Sequence, residues 1–284
     1  MPELKMSQDP SNTQVQIDLN AYLTRIGYDG PDETPPTLET LGTIQRAHVC
    51  TIPFENIDAI LNQPIKLDPQ SVQRKLITLG RGGYCFEHNG LLIDALTQLG
   101  FEVESQSARV RFSATRDFIP PRTHLFAKVT IDRVPWCVDV GVGGLSPTAP
   151  FRMDIKDPQR SPHDTRRVIL DDASGNWFHQ VQIGEHWNDV CEFTGESMPM
   201  IDREVANWWT STHPDSKFRK SIMAALADPD GSRHTLGNRH YAHRRDGKVI
   251  DEQHIESTTQ LLEVLATKFN IHLPSDTVFG IDGL

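Results

Sequence analysis

A thiol, an imidazole and a carboxylate make an acyl-transfer set when a fold brings them together. The thiolate attacks, the imidazole handles the proton, and the carboxylate holds the ring. Cys85, His124 and Asp139 are the residues of this chain that we expect to meet in that way. The chain has 12 histidines and four cysteines, Cys50, Cys85, Cys137 and Cys191, so each choice has to be argued.

Cys85 sits in Gly82–Leu99, GGYCFEHNGLLIDALTQL. Leu92, Ala95, Leu96 and Leu99 recur at i, i+3, i+4 and i+7, which predicts one face of a helix. Cys85 projects onto the same face as Leu92, Leu96 and Leu99, toward protein. Gly100 stands where a helix C-terminal glycine belongs. Gly82 and Gly83 predict a tight turn with positive φ before the helix. The thiol then lies in the first helical turn, where the positive helix end favours a thiolate. On this segment alone, a small buried core cysteine is the competing account.

His88 follows Cys85 by three residues on nearly the same face. A hydrogen bond between them is conceivable, but nothing near it supplies an orienter, and a packing or substrate-lining role competes. His124 has the better geometry. THLFAKVTI alternates, with His124, Phe126 and Lys128 on one face, and VPWCVDV alternates after Asp132-Arg133. A two-residue loop at 132–133 makes Ile131 face Val134, Phe126 face Asp139 and His124 face Gly141. His124 and Asp139 become same-face diagonal neighbours. A four-residue loop preserves that parity and an odd-length loop breaks it. Asp139 could instead be a surface carboxylate near a turn. Trp136, Val138 and Val140 mark the strand as buried, and a buried carboxylate needs a partner.

The surrounding elements fall into three groups. Residues 1–16 form a polar tail. Asp18 caps a short helix ended by Gly27, and Thr37 opens a helix with the stripe Leu38, Leu41, Ile44 and His48. Pro53 stops that helix, and PFENIDAIL follows as a buried connector. Asp68-Pro69 starts another helix, carrying Val72, Leu76 and Ile77. Residues 17–100 therefore read as a helical domain. Over 101–200, short alternating runs separated by turn signals predict an antiparallel sheet or barrel. Residues 201–284 are mixed: a helix up to Pro214, then strands with turns from SKFRKSIMAALA through KVIDEQHI, and a last helix capped by Ser257 with Gln260 at the capping-box position.

Bulk properties narrow the function. Net charge is −10, a poor match to nucleic-acid phosphates. No run of about 18 apolar residues predicts a membrane span, and MPELKMSQDPSNTQVQ has no apolar signal core. The cysteines form no CxxC pair, so neither a zinc site nor a disulfide framework is expected, and a reducing cytoplasm is the inference. His234, His240 and His243, with Arg233, Arg239, Arg244 and Arg245, match no familiar zinc spacing and predict a solvated hairpin.

Five segments, in order, resemble signature segments of the arylamine N-acetyltransferase family: IPFENID at 52–58, RGGYCFEHN at 81–89, THLFAKV at 123–129, VDVGVGG at 138–144 and STHPDSKF at 211–218. The resemblance spans nearly the whole chain. It implies an α+β fold with an N-terminal helical domain, an antiparallel β-barrel domain and a C-terminal α/β lid, holding a cysteine-protease-like triad arrangement. It places the catalytic residues on Cys85, His124 and Asp139. It implies ping-pong transfer from acetyl-CoA, the acyl-donor substrate, through an acetyl-cysteine to a small aromatic amine, arylhydrazine or N-hydroxyarylamine, with no metal.

By the same resemblance, Glu55 and Arg81 match a supporting ion pair, and Phe54, Val110 and Phe218 match positions lining the acceptor pocket. Val142 replaces a residue that is often aromatic in the family, implying a roomier pocket or a shifted acceptor preference. Gly141, Gly143 and Gly144 match a loop beside the cofactor, although from the residues alone GVGG fits a plain strand-end turn equally well. Basic side chains of the His/Arg segment would suit CoA phosphates. A monomer or homodimer acting in xenobiotic metabolism is expected. A macrolactam-forming amide synthase, a cysteine hydrolase or transglutaminase-like enzyme, and a silent binding protein are the competing readings, and the intact triad argues against the last.

Overall fold

The structure, a computed structural model, describes residues 16–30, 34–112 and 114–280. Residues 1–15 of the expected polar tail, and 31–33 of the loop before the second helix, lie outside the described residues.

Capping chemistry sets the first helices. Asp18 Oδ1 accepts from the Ala21 N–H at 2.9 Å and starts α1 (Leu19–Ile26), which ends at Gly27 with φ +65°. Thr37 caps α2 (Leu38–Thr51) by accepting from the Thr40 N–H. Leu41, Ile44 and His48 are buried as expected, but Leu38, at the first helical position, lies outside the stripe and is exposed. The connector after Pro53 has structure of its own: a two-residue strand, β1 (Phe54–Glu55), then a helical turn, α3 (Ile57–Ile60). Asp68 caps α4 (Pro69–Gln73), which runs into a π turn over Arg74–Thr78. Helix α5 (Cys85–Gln98) follows, with Leu92, Ala95 and Leu96 in the core.

Gly82 and Gly83 are glycines for a different reason from the one expected. Neither has positive φ. A Cβ on Gly82 would lie 1.9 Å from the Pro53 carbonyl oxygen, and one on Gly83 would lie 2.6 Å from Glu87 Oε2. The segment runs against β1 instead of turning: the Glu55 N–H donates to the Gly83 carbonyl at 2.7 Å. This close approach joins the start of α5 to β1.

Eight antiparallel strands form the larger sheet: β2 (Glu102–Val110), β3 (His124–Ile131), β4 (Val134–Val138), β5 (Phe151–Arg152), β6 (Gln159–Arg160), β7 (Thr165–Leu170), β8 (Trp177–Ile183) and β9 (His186–Ser197). Their order is β5-β4-β3-β2-β9-β8-β7-β6. The edges β5 and β6 approach through one side chain: the Gln159 amide accepts from the Arg152 N–H at 2.7 Å and donates to its carbonyl at 3.0 Å. The barrel is thus nearly closed. The β3–β4 hairpin has the expected register, with Ile131 opposite Val134 and Ala127 opposite Val138. Its two-residue loop holds Asp132 and Arg133 at φ +50° and +65°, the twist that two-residue hairpins need. Phe126 and Cys137 point into the barrel core with Phe151, Val181 and Phe193, while Leu125, Ala127 and Val129 pack on the helices.

The C-terminal part contains α6 (Met200–Thr212), α7 (Lys217–Lys220), β10 (Met223–Ala227), β11 (Ser232–Gly237), β12 (His240–Arg245), β13 (Lys248–His254) and α8 (Thr258–Phe269). Lys217–Lys220, expected within a strand-and-turn stretch, is a helical turn because Ser216 Oγ accepts from the Phe218 N–H and caps it. The second sheet has the order β1-β10-β11-β12-β13, so a strand from the helical part forms its edge. The hairpin β11–β12 is solvated only in part. His240 is exposed, but Arg233 turns inward to donate to Asp164 Oδ2 at 2.9 Å, and His234 and His243 turn toward Asp228. Among the described residues no helix is long and apolar enough to cross a membrane. All four cysteines are free thiols.

Candidate active site

Cys85 opens α5 and His124 opens β3, while Asp139 immediately follows β4. All three are buried. The ring N–H at His124 Nε2 donates to Asp139 Oδ2 at 2.7 Å, which leaves Nδ1 as the ring nitrogen available to Cys85. The thiol lies 3.5 Å from the Thr123 carbonyl, next in chain to His124. His124 and Asp139 leave their strands on the barrel-core face, at the end that the start of α5 covers. Hairpin parity therefore does what the sequence pattern predicted.

Burial by itself would raise the Asp139 carboxyl. The facing imidazole, the Asn89 amide and the Gly141 N–H outweigh that and hold it below the usual carboxylate range. Burial likewise opposes charge on His124, but Asp139 and the Cys85 thiol prevail and raise it to about 10. The pair is thus an imidazolium and a carboxylate at neutral pH. Asn89, which sequence reasoning missed, is the main hydrogen-bond partner of this carboxylate besides His124. Its Nδ2 donates to Asp139 Oδ1 at 2.9 Å and to the Leu125 carbonyl at 2.6 Å, and its Oδ1 accepts from the Val140 N–H at 3.0 Å. The signal was its place one helical turn after Cys85, on the same face. Gly141 donates its N–H to Asp139 Oδ1 at 2.9 Å, and a Cβ there would lie 2.7 Å from Cys85 Cα.

His88 belongs to a different chain of bonds. His88 Nε2–H donates to the Pro53 carbonyl at 3.1 Å, so its Nδ1 is an acceptor. That nitrogen takes His48 Nε2–H at 2.9 Å, and His48 Nδ1 takes the Tyr22 hydroxyl proton at 2.9 Å. Every proton has one place in this series, and both rings stay neutral. Burial lowers His88 to about 4 and holds His48 well below its ordinary value, with the His88 ring adding to the effect on His48.

Beneath the start of α5 lies a line of alternating charges. Arg81 donates to Glu55 Oε1 at 2.7 Å and to Asp58 Oδ1 at 3.0 Å, and Lys75 Nζ lies 2.7 Å from both Asp58 Oδ2 and Glu87 Oε1. Glu87 Oε2 then accepts from the Tyr84 N–H, capping α5, and Glu55 Oε2 accepts from the Ile57 N–H. The expected Glu55–Arg81 pair is present as part of this longer array. Asp58, Lys75 and Glu87 share no periodicity that would have joined them to it. Burial disfavours charge on Lys75, but the three carboxylates reverse this and raise it above its ordinary value.

Phe54 and Phe218 meet with ring centroids 6.3 Å apart, and Phe218 also lies 5.5 Å from Tyr84. Asn56, also missed, fixes this contact: its amide donates to the Phe218 and Ser221 carbonyls at 2.9 and 2.7 Å. The Tyr84 hydroxyl donates to Asn207 of α6. Gly143, at φ +66°, lies against the Phe54 ring, and Gly144 lies against Thr235 of β11. The glycine loop is thus wedged between Cys85, Phe54 and the second sheet. Val142 packs partly against the barrel core. Val110 is 39% exposed, two residues past Ala108, the partner of His124.

Residues 37–278 match a family model described as N-acetyltransferase. The chain is 37% identical over 261 residues to the arylamine N-acetyltransferase of Mycobacterium tuberculosis, covering 90% of each. It is 35% identical over 253 residues to a Salmonella typhimurium protein named arylamine N-acetyltransferase / N-hydroxyarylamine O-acetyltransferase, covering 89% of this chain and 88% of that one. Among solved structures it is similar to the Salmonella typhimurium arylamine N-acetyltransferase, with TM-score 0.85, 33% identity and coverage of 93% and 94%. It is also similar to the Mycobacterium marinum arylamine N-acetyltransferase in complex with CoA, with TM-score 0.84, 35% identity and coverage of 89% and 93%.

Proposed function

The chain belongs to the arylamine N-acetyltransferase family, and we propose that Cys85, His124 and Asp139 carry out its acetyl transfer from acetyl-CoA by a ping-pong route. The observation that carries this reading is the 2.7 Å His124–Asp139 bond beside the thiol at the start of α5. The His124 ring, held by Asp139 beside the thiol, is placed to exchange a proton with it.

In the first half-reaction Cys85 Sγ attacks the thioester carbonyl carbon. The bond from that carbon to the CoA sulfur breaks, and His124 gives its proton to the departing thiolate. An acetyl-cysteine and a neutral His124 remain. In the second, the nitrogen of an arylamine or arylhydrazine, or the hydroxyl oxygen of an N-hydroxyarylamine, attacks the acetyl carbon, the bond to Sγ breaks, and His124 takes the proton from the attacking atom. Asp139 keeps Nε2 protonated throughout, so Nδ1 does the exchange.

The same reading gives Phe54 and Phe218, with Val110 and Val142 at the rim, the task of holding a flat aromatic acceptor. Gly141, Gly143 and Gly144 let the loop that borders the acyl donor pack closely against Cys85, Phe54 and β11. Glu55 and Arg81 support the start of α5 from below. It divides the chain into a helical domain over 17–100, a barrel over 101–200 and a lid over 201–284, with the site at their junction. A reducing, cytoplasmic setting suits four free thiols.

Intact-mass spectrometry after mixing with acetyl-CoA, without acceptor, should show one acetyl group on Cys85, removed when an arylhydrazine is added. Cys85→Ser should stay folded and take up none. Transfer that survives in that variant would overturn the mechanism, and CoA release without acceptor would point to hydrolysis.

A further inference from the structure

The hairpin β11–β12 carries a second cluster of donor side chains that acetyl transfer does not use. His234 and His243 are directly opposed partners on neighbouring antiparallel strands, which puts both side chains on one face. Their rings stack with centroids 4.1 Å apart and planes 13° from parallel. Asp228, in the turn between β10 and β11, places Oδ2 2.8 Å from His234 Nε2 and 3.7 Å from His243 Nε2. One donor atom from each of the three lies within 4.8 Å of the other two.

We propose that Asp228, His234 and His243 bind a divalent transition-metal ion of the zinc class through two Nε2 atoms and one carboxylate oxygen, water completing the shell. Zinc holds imidazole and carboxylate donors at roughly 2.0–2.2 Å, so tetrahedral donors stand about 3.4 Å apart. The two carboxylate–imidazole separations straddle that value, and to bind the ion the stacked rings must swing apart so that both Nε2 lone pairs converge on it.

The hydrogen bonds around His234 suit both states. Its Nδ1 lies 2.8 Å from the Tyr241 hydroxyl, which can donate or accept. Without metal, the hydroxyl donates to Nδ1 and Nε2–H donates to Asp228. With metal, Nδ1–H donates to the hydroxyl and the Nε2 lone pair faces the ion, the usual second-shell arrangement of a ligating histidine. Ser232 Oγ, 2.8 Å from His243 Nε2, is one more oxygen beside the position. The side chains of His234, His243 and Asp228 keep 12%, 21% and 35% of their surface exposed, so a hydrated ion can enter.

The turn that the ion would clamp already joins three parts of the molecule. The Asp228 carbonyl accepts from His163 Nε2–H at 2.8 Å, and the Pro229 carbonyl accepts from Arg46 of α2 at 2.9 Å. A metal there ties β10, β11 and β12 together beside these contacts and raises the thermal midpoint.

The test uses the full chain with Cys85→Ser, which removes the reactive thiol as a competing ligand. Zn2+ titrated into it calorimetrically should bind at one equivalent and raise the thermal midpoint. Co2+ should give visible ligand-field bands without a thiolate charge-transfer band. His243→Ala and Asp228→Asn should each weaken Zn2+ binding at least tenfold and abolish the midpoint shift, while His240→Ala should leave both unchanged. If His243→Ala fails to fold, His243→Gln replaces it. Absence of saturable binding, a thiolate band with Co2+, or equal Zn2+ affinity in parent and His243 variant would overturn the proposal.

Discussion

Asp139→Asn changes one atom, and the structure says which way the new amide must point. Asp139 Oδ1 accepts two bonds at 2.9 Å, from the Asn89 amide and the Gly141 N–H. Only the carbonyl end of an amide can take that place, so the new NH2 faces His124 Nε2. That nitrogen must then become an acceptor, and the ring proton moves to Nδ1, toward Cys85. The ring can no longer take a proton from the thiol or from the incoming amine. The imidazolium is lost as well. His124 rises from 6.5 to about 10 against its burial, a factor of roughly 10^3 in proton affinity, or on the order of 5 kcal/mol. Without the carboxylate only the Cys85 thiol is left to oppose the burial, and the ring becomes neutral. Exchanging the orienting carboxylate for an amide costs about 10^4 in kcat in serine-protease triads, so a loss between roughly 10^3 and 10^4 in kcat/KM is expected here. The assay is acceptor-dependent release of CoA, with stopped-flow acetylation of Cys85 isolating the first half-reaction and circular dichroism checking the fold. A folded Asp139→Asn protein within tenfold of the parent would refute both the tautomer argument and the assignment of Asp139.

Gly141→Ala should destabilise the protein by roughly 2–3 kcal/mol in urea unfolding, as overpacking does, and lower activity at least a hundredfold. The added methyl would stand 2.7 Å from backbone at Cys85 and 2.6 Å from Asn89 Nδ2, neither of which can withdraw without moving the site. Parental midpoint and activity in this variant would contradict the packing. Two of the buried histidines should be displaced in opposite directions when followed by NMR of the ring protons, His88 to near 4 and His124 to near 10. The stability signs follow. The His88 contribution is present above the unfolded value near 6.5 and is lost as pH falls through about 4. The His124 contribution is full below 6.5 and fades as pH rises through about 10. Two rings titrating together near 6.5 would remove the basis for both.

What could be read from the chain before folding had short range and a fixed period. Hairpin parity needed only strand alternation and a loop of even length, and it placed His124 beside Asp139. Caps at Asp18, Thr37, Asp68 and Ser257 were equally local. What escaped was non-local. Gly82 is required by the Pro53 carbonyl, which lies 29 residues earlier in the chain. β1 is two residues long, too short for alternation, yet it forms an edge of the second sheet. The charges at 55, 58, 75, 81 and 87 become an array only when β1, α3, the π turn and the start of α5 converge. His234 and His243 are nine apart with no metal-like spacing, and only strand pairing sets them side by side.

A buried ion pair is a costly way to hold a histidine, because both groups give up water. The fold offsets this at Asp139, where every bond accepted by the carboxylate comes from a residue fixed by something else. Gly141 is fixed by its contact with Cys85. Asn89 is fixed by α5, by the Leu125 carbonyl on β3 and by the Val140 N–H after β4. Cys85 and the main support of Asp139 thus share one helix, a single turn apart. A shift of α5 carries Cys85 and Asn89 together, and Asn89 draws β3 and the residues after β4 along with it. The three chemical groups come from three elements, but one amide side chain couples their positions, so the site behaves as a junction of α5 with the barrel and as a property of neither alone.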